Sequence, residues 1–331
     1  SSIGILFSIV IGILIAILSW FLVLPLSKFI GASASKNLLN FTVEYLKVII
    51  ISIPFGLYSI TLYNQLRLCG NVKDGMTGLL IGMAVNMALD PILMFVFKFG
   101  FIGAGYATLI GQIIGCIVLT ILSGKNGNIA VDLKKARINK DRVYHILAGG
   151  MPNFSRQSIT SIALILLNVV ASKYGDGVIA ALTISSRILA LAYMIMIGWG
   201  QGFQPICAMN YGAKKYDRVK KAFKFAVIGG TLFLIMAAIL LYVFSETLIK
   251  TMSNDNEVIL VGAEILRMQC ITMPLLGYFA ISSMLMQNIG QYFWASIISI
   301  SRQGIFYIPL LYILSNIFGK FGIFYMSICG G

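Results

Sequence analysis

ISIPFGLYSITLYNQLRLCG at 51–70 is echoed by ITMPLLGYFAISSMLMQNIG at 271–290, and this pair decides how the 331-residue chain is read. In each stretch a proline precedes a glycine by 16 residues: Pro54 and Gly70, then Pro274 and Gly290, an offset of 220. Downstream, Pro91 matches Pro309 at an offset of 218, and FGFIGAGY (99–106) matches FGKFGIFY (318–325) at 219. Several unrelated features that share one period make an internal repeat, and with it a molecule of two lobes.

The repeated segments are apolar, and so is nearly everything around them. Hydrophobic residues make up 59% of the chain, charged residues only 11%, and the mean hydropathy is +0.92. A soluble protein carries about 25% charged residues. Apolar stretches of bilayer-spanning length, about 20 residues each, recur throughout, at 3–27, 45–69, 75–98, 101–123, 146–172, 178–209, 224–245, 258–286, 291–315 and 321 onward. The expected fold class is therefore an all-α polytopic membrane protein with about ten spans. Within the repeat the first four spans pair with the last four, and 146–172 and 178–209 have no partner upstream. The reading therefore expects about 74 further residues, two helices, ahead of Ser1, and a last helix continuing past Gly331. Twelve spans in two six-helix lobes result, and an even number per lobe makes the repeat parallel, about an axis along the membrane normal. Residues 1–124 form the N-lobe, 125–145 the linker and 146–331 the C-lobe.

A formal net charge of +14 would suggest nucleic acid in a soluble protein. Here the basic residues gather in alternate connections, 67–75, 124–145 and 210–224, and the connections between them hold few. The positive-inside rule places those three loops in the cytoplasm. No folded basic surface with interleaved aromatics emerges, so no nucleic-acid partner is expected. The five cysteines, Cys69, Cys116, Cys207, Cys270 and Cys329, lie in or beside apolar spans without CxxC spacing, and His145 is the only histidine. Neither a histidine metal site nor a Ser-His-Asp triad is supplied. No paired acids at helical spacing suggest an intramembrane enzyme, and no cofactor is expected.

The densest chemistry lies in NMALDP (86–91), where Asn86 and Asp90 are four apart and share a helix face. A carboxylate within a span costs about 2.5–3.5 kcal/mol near the centre, so it normally faces a cavity or a partner. Pro91 has no N–H and leaves the Met87 carbonyl without its helical donor, one turn from Asp90. Carboxylate, amide oxygen and freed carbonyl together suit a hard cation or a proton. The chain turns near Phe99 and Gly100, nine residues after Asp90 and nine or so before Thr108, which sets the two at similar depth on facing helices. The competing reading has Asp90 bonded within the packing and Thr108 bonded to its own i−4 carbonyl. Arg156, Arg187, Arg267 and Arg302 also fall inside spans, with Arg267 read as paired to Glu264 one turn away. Arg156 and Gln157 with Met151, Phe154, Tyr193, Trp199 and Met284 supply an adaptable surface for a bound molecule, and ordinary helix packing explains the same residues. Pro54, Pro91, Pro205 and Pro274 are the expected helix bends.

NMALDP (Asn86–Pro91), GFIGAGYAT (Gly100–Thr108), GQGFQP (Gly200–Pro205) and NYGAK (Asn210–Lys214), taken in order, resemble the motifs of multidrug and toxic compound extrusion (MATE) transporters. The resemblance covers essentially the whole chain, from the third family helix to the start of the twelfth. It implies a monomeric antiporter in a bacterial plasma membrane, exporting amphipathic, often cationic compounds through a central cleft in exchange for Na+ or H+. Asn86, Asp90 and Thr108 match the family's N-lobe cation positions, whose partner aspartate lies on the first helix. Some relatives carry C-lobe acids as well. At the matching places this sequence has Ser155, Arg156 and Gln157, and on the other helix only Glu264, so it departs from that pattern. A lipid-linked oligosaccharide flippase of the same superfamily is the alternative, with arginines rather than an Asn-x-x-x-Asp-Pro motif lining its cleft.

The charge pattern has a direct test. Single cysteines at positions 128 and 255 are expected to react differently with an impermeant thiol reagent added outside intact cells: 255 labels and 128 does not. Labelling of 128 from outside would reverse the orientation.

Overall fold

The computed structural model describes residues 2–29, 36–124, 140–171, 175–301, 304, 307–311 and 313. Arg302, Cys329, most of the linker and the span from 321 onward lie outside them. Among the described residues there is no strand, and eight helices are long and apolar enough to cross a membrane. Lipid offers no partner to a backbone N–H or C=O, so the apolar segments close their hydrogen bonds internally as helices.

The chain falls into two compact units, Ser1–Arg142 and Val143–Gly331. The first contains α1 (Ser2–Phe21), α2 (Val23–Phe29), α3 (Lys36–Leu68), α4 (Val72–Pro91) and α5 (Phe101–Ser123). The second contains α6 (Lys140–Ala171), α7 (Asp176–Gly212), α8 (Tyr216–Val243), α9 (Ser245–Lys250), α10 (Asn256–Asn288) and α11 (Tyr292–Ile300). α1 and α2 form one hydrogen-bonded run, since Leu22 N–H reaches Leu18 O at 3.1 Å and Leu26 N–H reaches Leu22 O at 2.9 Å.

The repeat is present in the backbone. α3 and α10 are each 33 residues long and start 220 residues apart; α3 packs against α1, α2, α4 and α5, and α10 against α7, α8, α9 and α11. Their C-terminal corners close alike. Gly70 (φ 94°) donates to Arg67 O and Asn71 to Leu66 O; Gly290 (φ 83°) donates to Gln287 O and Gln291 to Met286 O. Both glycines take the left-handed conformation that satisfies the last helical carbonyls. The α7–α8 corner makes the same pair of bonds, from Lys214 to Tyr211 O and from Lys215 to Asn210 O, with Lys214 (φ 57°) in the glycine position.

The expected basic loops are corrected by these elements. Of 210–224 only Ala213–Lys215 is non-helical, and of 67–75 only 69–71. Lys and Arg are good helix formers, so the helices run past the lipid-facing stretch and carry their charges with them. The same effect begins α3 at Lys36 rather than near 45. α7, at 37 residues, is about 55 Å long, against a hydrocarbon core of about 30 Å.

In the first unit, Ile5, Leu62, Leu66 and Leu119 form a buried cluster. α4 meets α5 along a glycine seam: a Cβ on Gly82 would lie 2.8 Å from Gly111 O, and one on Gly111 would lie 2.7 Å from Gly82 O and 2.8 Å from Asn86 Cβ. Small residues let membrane helices pack backbone to backbone. In the second unit, Met196, Phe203, Leu234, Leu266 and Met273 join α7, α8 and α10 in one core.

Gly82→Ala puts a methyl where the Gly111 carbonyl sits, so overpacking of about 1–3 kcal/mol is expected. The thermal midpoint of the detergent-solubilised protein falls, whereas Gly150→Ala, which meets nothing within 4 Å, leaves it in place. Equal midpoints for Gly82→Ala and the parent would show that the seam is not this tight.

Candidate functional site

α4 and α5 bring Asn86, Asp90 and Thr108 together at the upper end of the glycine seam. Asn86 Nδ2 donates to Thr108 Oγ1 at 3.2 Å, and Thr108 Oγ1 donates to Ala104 O at 2.9 Å. The second bond is the i−4 contact of the plainer reading, and the first is new. Thr108 reaches Asn86, one turn from Asp90, rather than Asp90 itself. The hairpin accounts for this: after Pro91 the helix widens into a π-helical turn at Ile92–Val96, closed by Phe97 N–H to Ile92 O at 3.0 Å, and Gly100 (φ 59°) makes the reversal. A wider turn shifts the register of everything below it.

With its amide N–H committed to Thr108, Asn86 keeps its carbonyl oxygen as an acceptor. Asp90 Oδ1 is buried and has no hydrogen-bond partner among the described residues. An ionised carboxylate only accepts, and burying it unpaired is costly. Asp90, Asn86 and Thr108 thus bring oxygen acceptors to neighbouring turns of α4 and α5, the donor type that hard cations take.

The prolines are embedded in helices. α3, α7 and α10 continue through Pro54, Pro205 and Pro274, and at Pro91 the regular helix gives way to the π turn.

The second unit holds a cavity of about 730 Å³ between α6, α7 and α10. Of the residues expected to face a bound molecule, Arg156, Gln157 and Tyr193 line it. Met284 lines a small pocket of about 30 Å³ that shares Arg156 and Tyr193. Met151 and Phe154 are exposed and line neither. Trp199 has a packing contact instead: its indole N–H donates to Ala226 O at 3.0 Å, and its ring lies against Gly229, tying α7 to α8. Arg267 departs from its expected pairing with Glu264. It donates Nε–H to Ser245 Oγ at 2.9 Å and lies over the Tyr242 ring at 5.9 Å.

Two amides escape a reading from sequence. Gln269 is 7% exposed, lines the large cavity and has a buried Oε1 without a hydrogen-bond partner. Gln112, one turn beyond Thr108, turns its buried Oε1 toward Gly56. A lone glutamine in an apolar helix is the only signal either leaves in the sequence.

Comparison with known proteins agrees with the fold. The chain is 28% identical over 320 residues to multidrug export protein MepA of Staphylococcus aureus (strain MSSA476), covering 96% of this chain and 70% of that protein. It is 28% identical over 291 residues to the Staphylococcus haemolyticus (strain JCSC1435) protein of the same name, spanning 88% of this chain and 64% of that one. Among solved structures, a Vibrio cholerae MATE transporter superimposes with a TM-score of 0.90 at 22% identity, over 100% of this chain and 75% of that chain. A transporter of the MOP superfamily from Pyrococcus furiosus gives 0.91 at 20% identity, over 99% and 74%. The MatE family model matches residues 1–92 and 152–313, most of the sequence, and the chain therefore belongs to the MatE family of membrane transporters.

Proposed function

We propose that this chain is the greater part of a secondary antiporter that exports amphipathic, often cationic drugs or metabolites across a bacterial plasma membrane in exchange for Na+ or H+. The observation that carries the reading is the buried, unpartnered Asp90 Oδ1 beside the bonded pair Asn86 and Thr108. Membership of the family and the names of the staphylococcal relatives supply the cargo class. The same carboxylate favours this reading over an oligosaccharide flippase.

Asp90 carries the coupling charge. One of its oxygens, Oδ1, is buried and has no partner among the described residues. A proton removes the charge, and Na+ balances it, with Asn86 Oδ1 and Thr108 Oγ1 as neutral ligands. Either ligand binds the lobe arrangement that buries Asp90 more tightly than one that hydrates it, so ion occupancy biases conformation. A cargo whose affinity differs between the same arrangements is linked to the ion through that equilibrium. Pro54, Pro205 and Pro274 each remove one hydrogen bond from a long helix, and in this account they are where the helices flex. The basic segments 67–75, 124–145 and 210–224 face the cytoplasm, and one copy of the chain suffices.

Asp90→Asn keeps the size and removes the charge. In the full-length protein this variant is expected to insert and bind cargo normally, while gradient-driven efflux of a fluorescent cation falls by about 5–150-fold, the range spanned by ordinary coupling energies. Thr108→Val deletes one neutral ligand and is expected to lose less. Efflux is followed in vesicles with the Na+ and pH gradients imposed separately. Parental efflux and ion dependence in Asp90→Asn would reassign Asp90 to helix packing.

A further inference from the structure

The large cavity of the second unit has a composition at odds with a cationic cargo. Among its described lining residues the only charged side chain is Arg156, and none is acidic. The rest are amides and hydroxyls, Gln157, Thr160, Tyr193, Gln201 and Gln269 among them, set on apolar walls. Arg156 lies within a helix that spans the apolar layer, and its one described bond is a long one, from Nη2 to Asn153 Oδ1 at 3.3 Å. A neutral amide oxygen leaves the guanidinium charge unbalanced, and a cation at this depth normally has an anionic partner or water. No described acid of the second unit faces it. Glu264 is exposed and lines neither pocket, and Glu246 pairs with Lys250 at 2.9 Å.

Gln269, 7% exposed, lines the same space, and its covered amide oxygen has no donor among the described residues. The cavity thus holds a buried acceptor in need of a donor and a cation in need of an anion. Its volume of about 730 Å³ lies within the roughly 300–1,000 Å³ typical of small-molecule sites.

We infer that the cavity between α6, α7 and α10 binds an amphiphile through a single anionic group, a carboxylate or a phosphate, which Arg156 holds in a bidentate pair while Gln269 accepts from an N–H or O–H elsewhere on the molecule. Arginine suits this role because its planar fork matches either oxyanion. The inference deepens the export reading by naming one cargo chemistry for the C-terminal unit, and it rests on that reading only for the word cargo. The anionic group can belong to a transported molecule or to the headgroup of an acidic lipid that enters from the bilayer.

The test compares two forms of one rhodamine dye, the free carboxylic acid and its methyl ester, which share the amino groups and differ in one anionic charge. Binding to the purified full-length protein in phosphatidylcholine nanodiscs is read by fluorescence polarisation with no ion gradient. The parent should bind the acid about tenfold or more tightly than the ester. Arg156→Gln should bring that ratio to one or below, and Arg156→Lys should keep part of it. Gln269→Met, close in shape, should weaken both forms alike and leave the ratio intact. Adding phosphatidylglycerol separates the sources: displacement of the acid identifies a lipid headgroup as the occupant, persistence identifies a soluble amphiphile, and either supports the anion site. A ratio near one in the parent, or a ratio untouched by Arg156→Gln in protein that still binds the ester, overturns it. Because binding needs no gradient, the result stands apart from the efflux of Asp90→Asn: parental efflux and ion dependence in that variant, with the acid preference of the parent retained, would sink the antiport reading alone.

Discussion

Gly82 and Gly111 press the backbones of α4 and α5 together, and the candidate site depends on that approach. The carbonyl of each glycine occupies the space a side chain on the other would need. Helices in lipid gain little from burying apolar groups against one another, so close backbone packing and interhelical hydrogen bonds take over. The seam supplies the first, and Asn86 with Thr108, just beyond it, supplies the second. Once the two helices are held at this spacing, Asp90 follows one turn after Asn86 and has one carboxylate oxygen, Oδ1, buried without a partner among the described residues. In the proposed function, a proton or cation is what answers this unpartnered oxygen.

How much of this was legible depends on which physical feature writes itself into sequence. The repeat was legible because proline and glycine are chosen by backbone conformation: Pro54 and Pro274 sit inside matching helices, and Gly70 and Gly290 take the same left-handed corner. The family motifs were legible for the same reason, and the family model matches the segments that contain most of them. The closeness of α4 and α5 followed from a tight hairpin, but its register did not, since the π turn at Ile92–Val96 leaves no mark in an apolar run and moves Thr108 onto Asn86. Helix ends were misjudged wherever Lys and Arg continue a helix beyond the apolar stretch, most plainly at Tyr216–Lys224. Aromatic residues were the least legible. Trp199 resembles a binding-surface residue in sequence, yet its N–H belongs to Ala226 O.

The two units distribute charge differently. The first holds a half-buried acid with one covered, unpartnered oxygen, and the second a cavity whose only charge among the described residues is the Arg156 cation. α3 and α10 are matched in length and in corner geometry, so the division arises from side chains placed on a repeated backbone. Duplicated lobes in this arrangement need not perform duplicated chemistry. One can answer to the ion and the other to the molecule that the ion drives.

The central claim is that Asp90 links ion to cargo, and linkage is reciprocal. The most direct measurement is ion counterflow in sealed vesicles containing the full-length protein, with a cargo gradient as the only driving force. A fluorescent cation moving down its gradient should drive Na+ or H+ in the opposite direction, and Asp90→Asn should abolish that ion movement. Cargo flux without ion counterflow in the parent, or counterflow undiminished in Asp90→Asn, would contradict the account.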